Sequence, residues 1–229
     1  MNSNVYSLFP TAVTQSVYPD SDNFLELFYQ HWDNHFGNGI SGESSGKNAV
    51  HHQKEFAGLF TFITECVQQY LEIIGVEHKN FDINIVKSWV NSYTKNPIGI
   101  HHHGDSHLSI VYYAATPEDE DQFLTFISSN YDREPYRGIS VFNSKDSNPY
   151  GSAGWDFETH KGQVYVFPSN ILHYNIRKDR IISEDPPVRS LEDVKAKKIC
   201  IACDVILTYS DISDKHLGLQ PISHWRRFH

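Results

Sequence analysis

Three cysteines in 229 residues, Cys66, Cys200 and Cys203, are too few and too irregularly spaced for a disulfide framework, which points to a reducing compartment. Cys200 and Cys203 form a CxxC, but inside the strand-like run KICIACDVILTY, where residues three apart face opposite ways; small apolar core residues are the expected role. No apolar run approaches the roughly 18 residues of a membrane helix, and MNSNVYSLFP lacks the basic-then-apolar order of a signal peptide. A cytoplasmic protein without a membrane span is therefore expected. Positive charge is also scarce, with 19 Lys and Arg against 28 Asp and Glu and a net charge of −9. The short cluster Lys195, Lys197 and Lys198 does not offset that balance, which argues against nucleic acid as a partner and for a small-molecule or peptide substrate. Nothing in the sequence fixes the oligomeric state, a homodimer included. Nor does any stretch read as a long flexible linker, so residues 1–229 are expected to form a single domain.

Aromatic residues are plentiful, at 14%, and most fall in periodic segments that predict a packed interior. A first helix is expected to begin near Ser21 to Asn23, with Asn23 and Glu26 as its capping pair and Phe24, Leu25, Phe28 and Trp32 as its apolar stripe. GNGISGESS, from Gly37 to Ser45, reads as a loop. A second helix is predicted from about Lys54 to Ile74, where Phe56, Leu59, Phe60, Ile63, Val67, Tyr70, Leu71 and Ile74 recur at helical spacing before Gly75 stops it. From Ile83 onward the pattern changes to strands, which suggests a sheet core at about 83–208 supported by the helices at about 21–75. Two polar excursions, 128–152 and 177–197, read as lid-like loops.

The densest chemistry lies in IHHHGDSHLSIVYY, from Ile100 to Tyr113. Three imidazoles and a carboxylate fall within five residues, and neutral imidazole is the commonest metal ligand. His101 and His103 form HxH, while His103 and Asp105 form HxD; either pair would share one face of extended chain. Strand-like runs, NIVKSWVN before and HLSIVYYA after, set the cluster at strand ends, and GQVYVFPSNIL delivers His173 to another. Together His103, Asp105 and His173 would make the two-His, one-carboxylate triad of non-haem Fe(II) oxygenases. An HxH register using His101 would instead give an all-nitrogen site like that of many cupins. His102 should point away from both neighbours, and His51, His52 and His107 read as surface or packing residues.

These segments together resemble the 2-oxoglutarate and Fe(II) dependent oxygenase superfamily, and within it an oxygenase group common in marine bacteria and phages. The resemblance rests on a LFPT-like opening at Leu8 to Thr11, the WVN strand at Trp89 to Asn91, an HxHPxSxLSGVYYL motif matched by HHHGDSHLSIVYYA, and GxLxxFPSxLxH matched from Gly162 to His173. A final RISIxFNV strand has its counterpart in KICIACDV, from Lys198 to Val205. Gly104 and Ile110 depart from the motif's proline and glycine, and Lys198 and Cys200 stand where many members carry Arg and Ser.

The resemblance implies a double-stranded β-helix, or jelly roll, in an α+β, mainly β chain with N-terminal helices on one face. It implies Fe(II) as cofactor and 2-oxoglutarate and O2 as cosubstrates. The implied reaction is hydroxylation of an unactivated C–H bond with release of succinate and CO2. His103, Asp105 and His173 are the expected iron ligands, with His101 as the alternative first ligand and Asp105 then accepting a hydrogen bond from a ligating imidazole. Lys198, as in prolyl 4-hydroxylase-like enzymes, is the expected anchor for the distal carboxylate of 2-oxoglutarate, with Arg180 second. Tyr93, Tyr112, Tyr165 and Ser169 are candidate pocket walls. The competing readings are a cupin-like metal enzyme without 2-oxoglutarate, a non-enzymatic jelly-roll binding module and, within the superfamily, a halogenase.

Overall fold

Alternation along three central strands divides the interior into two layers. In β3 (Leu108–Ala115), Ile110, Tyr112 and Ala114 face one way and Val111 and Tyr113 the other. The same split runs through β6 (Gln163–Pro168) and β8 (Lys198–Tyr209), where Val164, Val166, Ile199, Ile201 and Cys203 join the first set and Tyr165, Phe167 and Cys200 the second. Both sets are buried, so these strands have no wet face. The computed structural model describes residues 11–32, 49–93, 99–116, 122–127, 154–177, 190–195, 198–212 and 218–228.

The strands form two antiparallel sheets. A five-stranded sheet has the order β1-β6-β3-β8-β2, with β1 at Thr14–Val17 and β2 at Phe81–Tyr93. A three-stranded sheet has the order β5-β4-β7, formed by β4 (Gln122–Ile127), β5 (Gly154–Glu158) and β7 (Leu172–Arg177). This is the expected jelly roll. Helix α1 (Ser21–Gln30) and helix α2 (Ala57–Ile73) cover the outer face of the larger sheet, burying Phe24, Phe28, Leu59, Ile63 and Val67. Tyr112 enters this layer edge-on to Phe24 and Tyr18, at centroid distances of 5.2 and 5.9 Å. Aromatic edges meeting faces at such distances are favourable beyond their area alone.

Helix boundaries differ from expectation in detail. Asn23 does not cap α1; it lies in the first turn, where its amide donates to Asp20 Oδ2 at 3.0 Å, while Phe24 N–H bonds the Asp20 carbonyl. Lys54–Phe56 forms a 3-10 turn ahead of α2. Gly75, at φ +80°, ends α2: its N–H reaches the Glu72 carbonyl and Val76 N–H reaches that of Leu71, the paired closure a left-handed residue permits. The excursion at 128–152 lies outside the described residues. Of that at 177–197, the short helix α3 (Leu191–Lys195) is described.

One irregularity in β2 bears directly on the site. Its pairing with β8 shifts register between Ile85 and Lys87. Before the shift Ile83 and Ile85 pack toward the helices; after it Lys87, Trp89 and Asn91 face the inner cavity while Val90 is in the helix-side core. One extra residue has exchanged the two faces, as a bulge does. Among the described residues no helix is long and apolar enough to cross a membrane.

Candidate metal centre

Backbone pairing brings the histidines together. His101 and His173 form an isolated antiparallel bridge, each N–H donating to the other's carbonyl at 3.0 and 2.9 Å. His103 N–H donates to the Ser169 carbonyl at 2.8 Å. The ring centroids then lie 4.3 Å (His101 to His173), 5.3 Å (His101 to His103) and 5.3 Å (His103 to His173) apart. One ring nitrogen from each falls within 4.8 Å of the other two. His173 is 3% exposed and wedged against Phe167, while His103 stacks on Trp89 at 5.5 Å.

The outer nitrogen of every ring is engaged. His101 Nδ1 lies 2.7 Å from the Gly99 carbonyl, and His173 Nδ1 lies 2.9 Å from that of Ile171. A carbonyl can only accept, so both Nδ1 atoms carry the proton and, in the neutral ring, leave the Nε2 lone pair for a metal. His103 Nδ1 lies 2.5 Å from Asp204 Oδ1. Burial favours the neutral form of two of the rings: it pushes His173 down to about 4 and lowers His101. Three imidazoles with one nitrogen each within 4.8 Å of the others are a donor set for a first-row divalent cation, so the residues present fit an iron site.

The cluster opens on a cavity of about 690 Å³ whose wall includes Trp89, Asn91, Asn175, Cys200 and Phe167. Asp105 lies on its rim, in an exposed turn outside the three-histidine group. The structure thus gathers His101, His103 and His173, and it does not gather Asp105 with them, because Gly104 and Asp105 turn the chain away before β3 begins. His102 is exposed, as expected.

The other expected site residues take different places. Lys198 is fully buried, its ammonium 2.7 Å from Thr159 Oγ1 and 4.4 Å over the ring of Tyr113. Tyr113 in turn donates to Asn175 Oδ1, at 2.8 Å, on the cavity wall. Tyr112 points to the helix layer, so its neighbour Tyr113 holds the inward position. Tyr165 is buried between the sheets and bonds the Glu158 carbonyl and Gln163; burial pushes its phenol up to about 12. Ser169 lies behind the cavity wall, linked to Ser106 and Ser109 at 2.7 and 3.0 Å. Arg180 and the side chain of Tyr93 lie outside the described residues. Cys200 and Cys203 face opposite layers.

Asp204 is the site residue that sequence reasoning missed. The sequence shows only an acidic residue in a largely apolar strand, at even spacing with Lys198 and Cys200.

Residues 87–181, which hold the whole histidine cluster, match the family model described as "Putative 2OG-Fe(II) oxygenase". The matched segment is similar to the 2OG-Fe(II) oxygenase family. That family uses Fe(II), 2-oxoglutarate and O2, and the three-histidine group lies within the matched segment. No curated protein matches the chain in sequence. Among solved structures, the carbocyclase SnoK of nogalamycin biosynthesis is 8% identical, with 93% of this chain and 89% of that one covered and a TM-score of 0.51. The epimerase SnoN, solved with Fe3+, alpha ketoglutarate and nogalamycin RO, is 9% identical over 92% of this chain and 91% of that one, also at 0.51. A Pseudomonas putida prolyl-4-hydroxylase is 12% identical over 86% of this chain and 89% of that one, at 0.44. The first two share their fold with this chain.

Proposed function

We propose that this chain is a 2OG-Fe(II) oxygenase that hydroxylates unactivated C–H bonds, with His101, His103 and His173 holding Fe(II) and Lys198 anchoring the distal carboxylate of 2-oxoglutarate. The observation that carries the ligand assignment is the engagement of all three Nδ1 atoms, which leaves three Nε2 lone pairs at one cavity. When bound, the iron couples decarboxylation of 2-oxoglutarate by O2 to oxidation of a C–H bond, with succinate and CO2 released.

The protein's own residues do the positioning. The carbonyls of Gly99 and Ile171 fix the tautomers of His101 and His173, and the bridge between these residues fixes their separation. Trp89 and Phe167 wall the centre with apolar surface, which limits water at the reacting atoms. Lys198 supplies a buried positive charge on the inner face of β8. A buried ammonium is a complement for a carboxylate of a dicarboxylate cosubstrate. Asn91 and Asn175 offer neutral polar groups on the cavity wall.

An all-nitrogen ligand set also suits a cupin-like enzyme that does without 2-oxoglutarate. The two readings separate on one assay. Iron-loaded protein supplied with 2-oxoglutarate in air should form succinate, slowly even without primary substrate. Iron binding with no succinate, and no effect of 2-oxoglutarate on the iron spectrum, would favour the cupin-like version. Hydroxylation itself is tested by incorporation of one atom of labelled O2 into product and the other into succinate.

A further inference from the structure

We propose that Asp204 is a positioning residue for the metal centre: it holds His103 as the Nδ1–H tautomer and supplies, across the His103 ring, the negative charge that a three-imidazole set lacks. This rests on the reading that His101, His103 and His173 hold the metal. The geometry is specific. Asp204 is 8% exposed and sits on the inner face of β8, opposite Lys87 of β2 and Ser109 of β3. Its Oδ1 lies 2.5 Å from His103 Nδ1, a separation short enough for a charge-assisted bond. Ser109 Oγ donates to the same oxygen at 3.3 Å, and Ser109 is linked through Ser169 to Ser106. On its open face the His103 ring is stacked by Trp89, so ring plane and ring rotation are both set.

The chemistry explains why an acid belongs there. His101 and His173 meet neutral carbonyls, which fix a tautomer without adding charge. Three neutral nitrogens leave a divalent ion at full charge beside the apolar rings of Trp89 and Phe167, whereas a carboxylate ligand would remove one unit. Asp105, the acid beside the cluster in sequence, is exposed on a turn outside the ligand group. Asp204 is within contact of a ligand ring, and a carboxylate hydrogen-bonded to a ligating imidazole raises its basicity.

The test uses the full chain and Co(II) as a visible probe, titrated anaerobically into metal-free protein. Asp204→Asn should raise the Co(II) dissociation constant by about 10- to 100-fold and move the d–d bands, with an unchanged circular dichroism spectrum. Asp204→Glu, which keeps the charge, should recover part of the affinity. Nitrogen-15 spectra of histidine-labelled, metal-free wild type, assigned with His103→Gln, should show His103 as the Nδ1–H tautomer with a strongly deshielded proton. That measurement decides the matter even if the Asn variant does not fold. An Nε2–H tautomer for His103, or a folded Asp204→Asn with affinity within about two-fold of wild type and unmoved bands, overturns the proposal. If wild type binds no Co(II), the three-histidine reading fails instead. Binding that His101→Ala abolishes and Asp204→Asn leaves untouched sinks the role of Asp204 alone.

Discussion

His101 and His173 face each other across a single antiparallel bridge, joined by two backbone hydrogen bonds of 3.0 and 2.9 Å while their rings lie 4.3 Å apart. The bridge belongs to the main chain, so truncating either ring removes a ligand without removing the pairing. His101→Ala and His173→Ala should therefore fold, yet bind Fe(II) or Co(II) more than about 100-fold more weakly, beyond the range seen for outer hydrogen-bond partners. Asp105→Ala should retain the metal. Equilibrium titration with Co(II) checks all three, and loss of binding in Asp105→Ala with retention in His101→Ala would restore the HxD register.

Acid should weaken the metal-free fold through the same residue. Burial holds folded His173 at a pKa of about 4, against 6.5 unfolded. Between those values the unfolded chain binds a proton that the folded chain refuses, so stability falls as pH drops from about 6.5 toward 4. The loss from this group is on the order of 3 kcal/mol and is complete below the lower value. Denaturant midpoints of metal-free wild type and His173→Gln, compared at pH 7.5 and pH 4.5, should show a steeper decline for wild type. Parallel declines would contradict the assignment.

Adjacent tyrosines should respond in opposite directions. Tyr112 OH is buried in the helix-side layer with no hydrogen-bond partner among the described residues, whereas Tyr113 OH donates to Asn175. Tyr112→Phe should leave stability unchanged or raise it by up to about 1 kcal/mol, and Tyr113→Phe should lower it by about 1 kcal/mol. Urea unfolding measures both, and the reverse order would mean that the facing of β3 is wrong by one residue.

That facing shows where sequence legibility ended. The strands around Trp89, Ser109, Val166 and Ile201 were readable from β-branched runs and bounding turns, and the helices from spacing such as Phe24 to Phe28. Which face of β3 met which layer was not, because every residue from Leu108 to Ala114 is buried and no polar alternation marks a side. His101, His103 and His173 were visible as a cluster. The choice between Asp105 and His101 was not, since it depends on the chain turning at Gly104 and on a bridge to a residue 72 positions away. Asp204 was hidden by long-range pairing: only the register of β8 against β2 and β3 puts it behind His103.

Lys198 should matter for the cosubstrate and little for the metal. Lys198→Met keeps most of the side-chain volume and removes the charge. It should weaken 2-oxoglutarate binding by at least about tenfold, as expected when a charged partner is lost from a buried site, and leave Co(II) affinity near wild type. Calorimetric titration of 2-oxoglutarate into the metal-loaded variant measures this. Unchanged 2-oxoglutarate affinity would move the anchor to another residue.

The central claim is that the three histidines hold an iron that 2-oxoglutarate chelates. Anaerobic protein with Fe(II) and 2-oxoglutarate should develop the weak visible charge-transfer band of the chelate, present in Asp105→Ala and absent in His101→Ala and His173→Ala. No band in the wild type would contradict the account outright, and a band that persists in His101→Ala but vanishes in Asp105→Ala would contradict the ligand set.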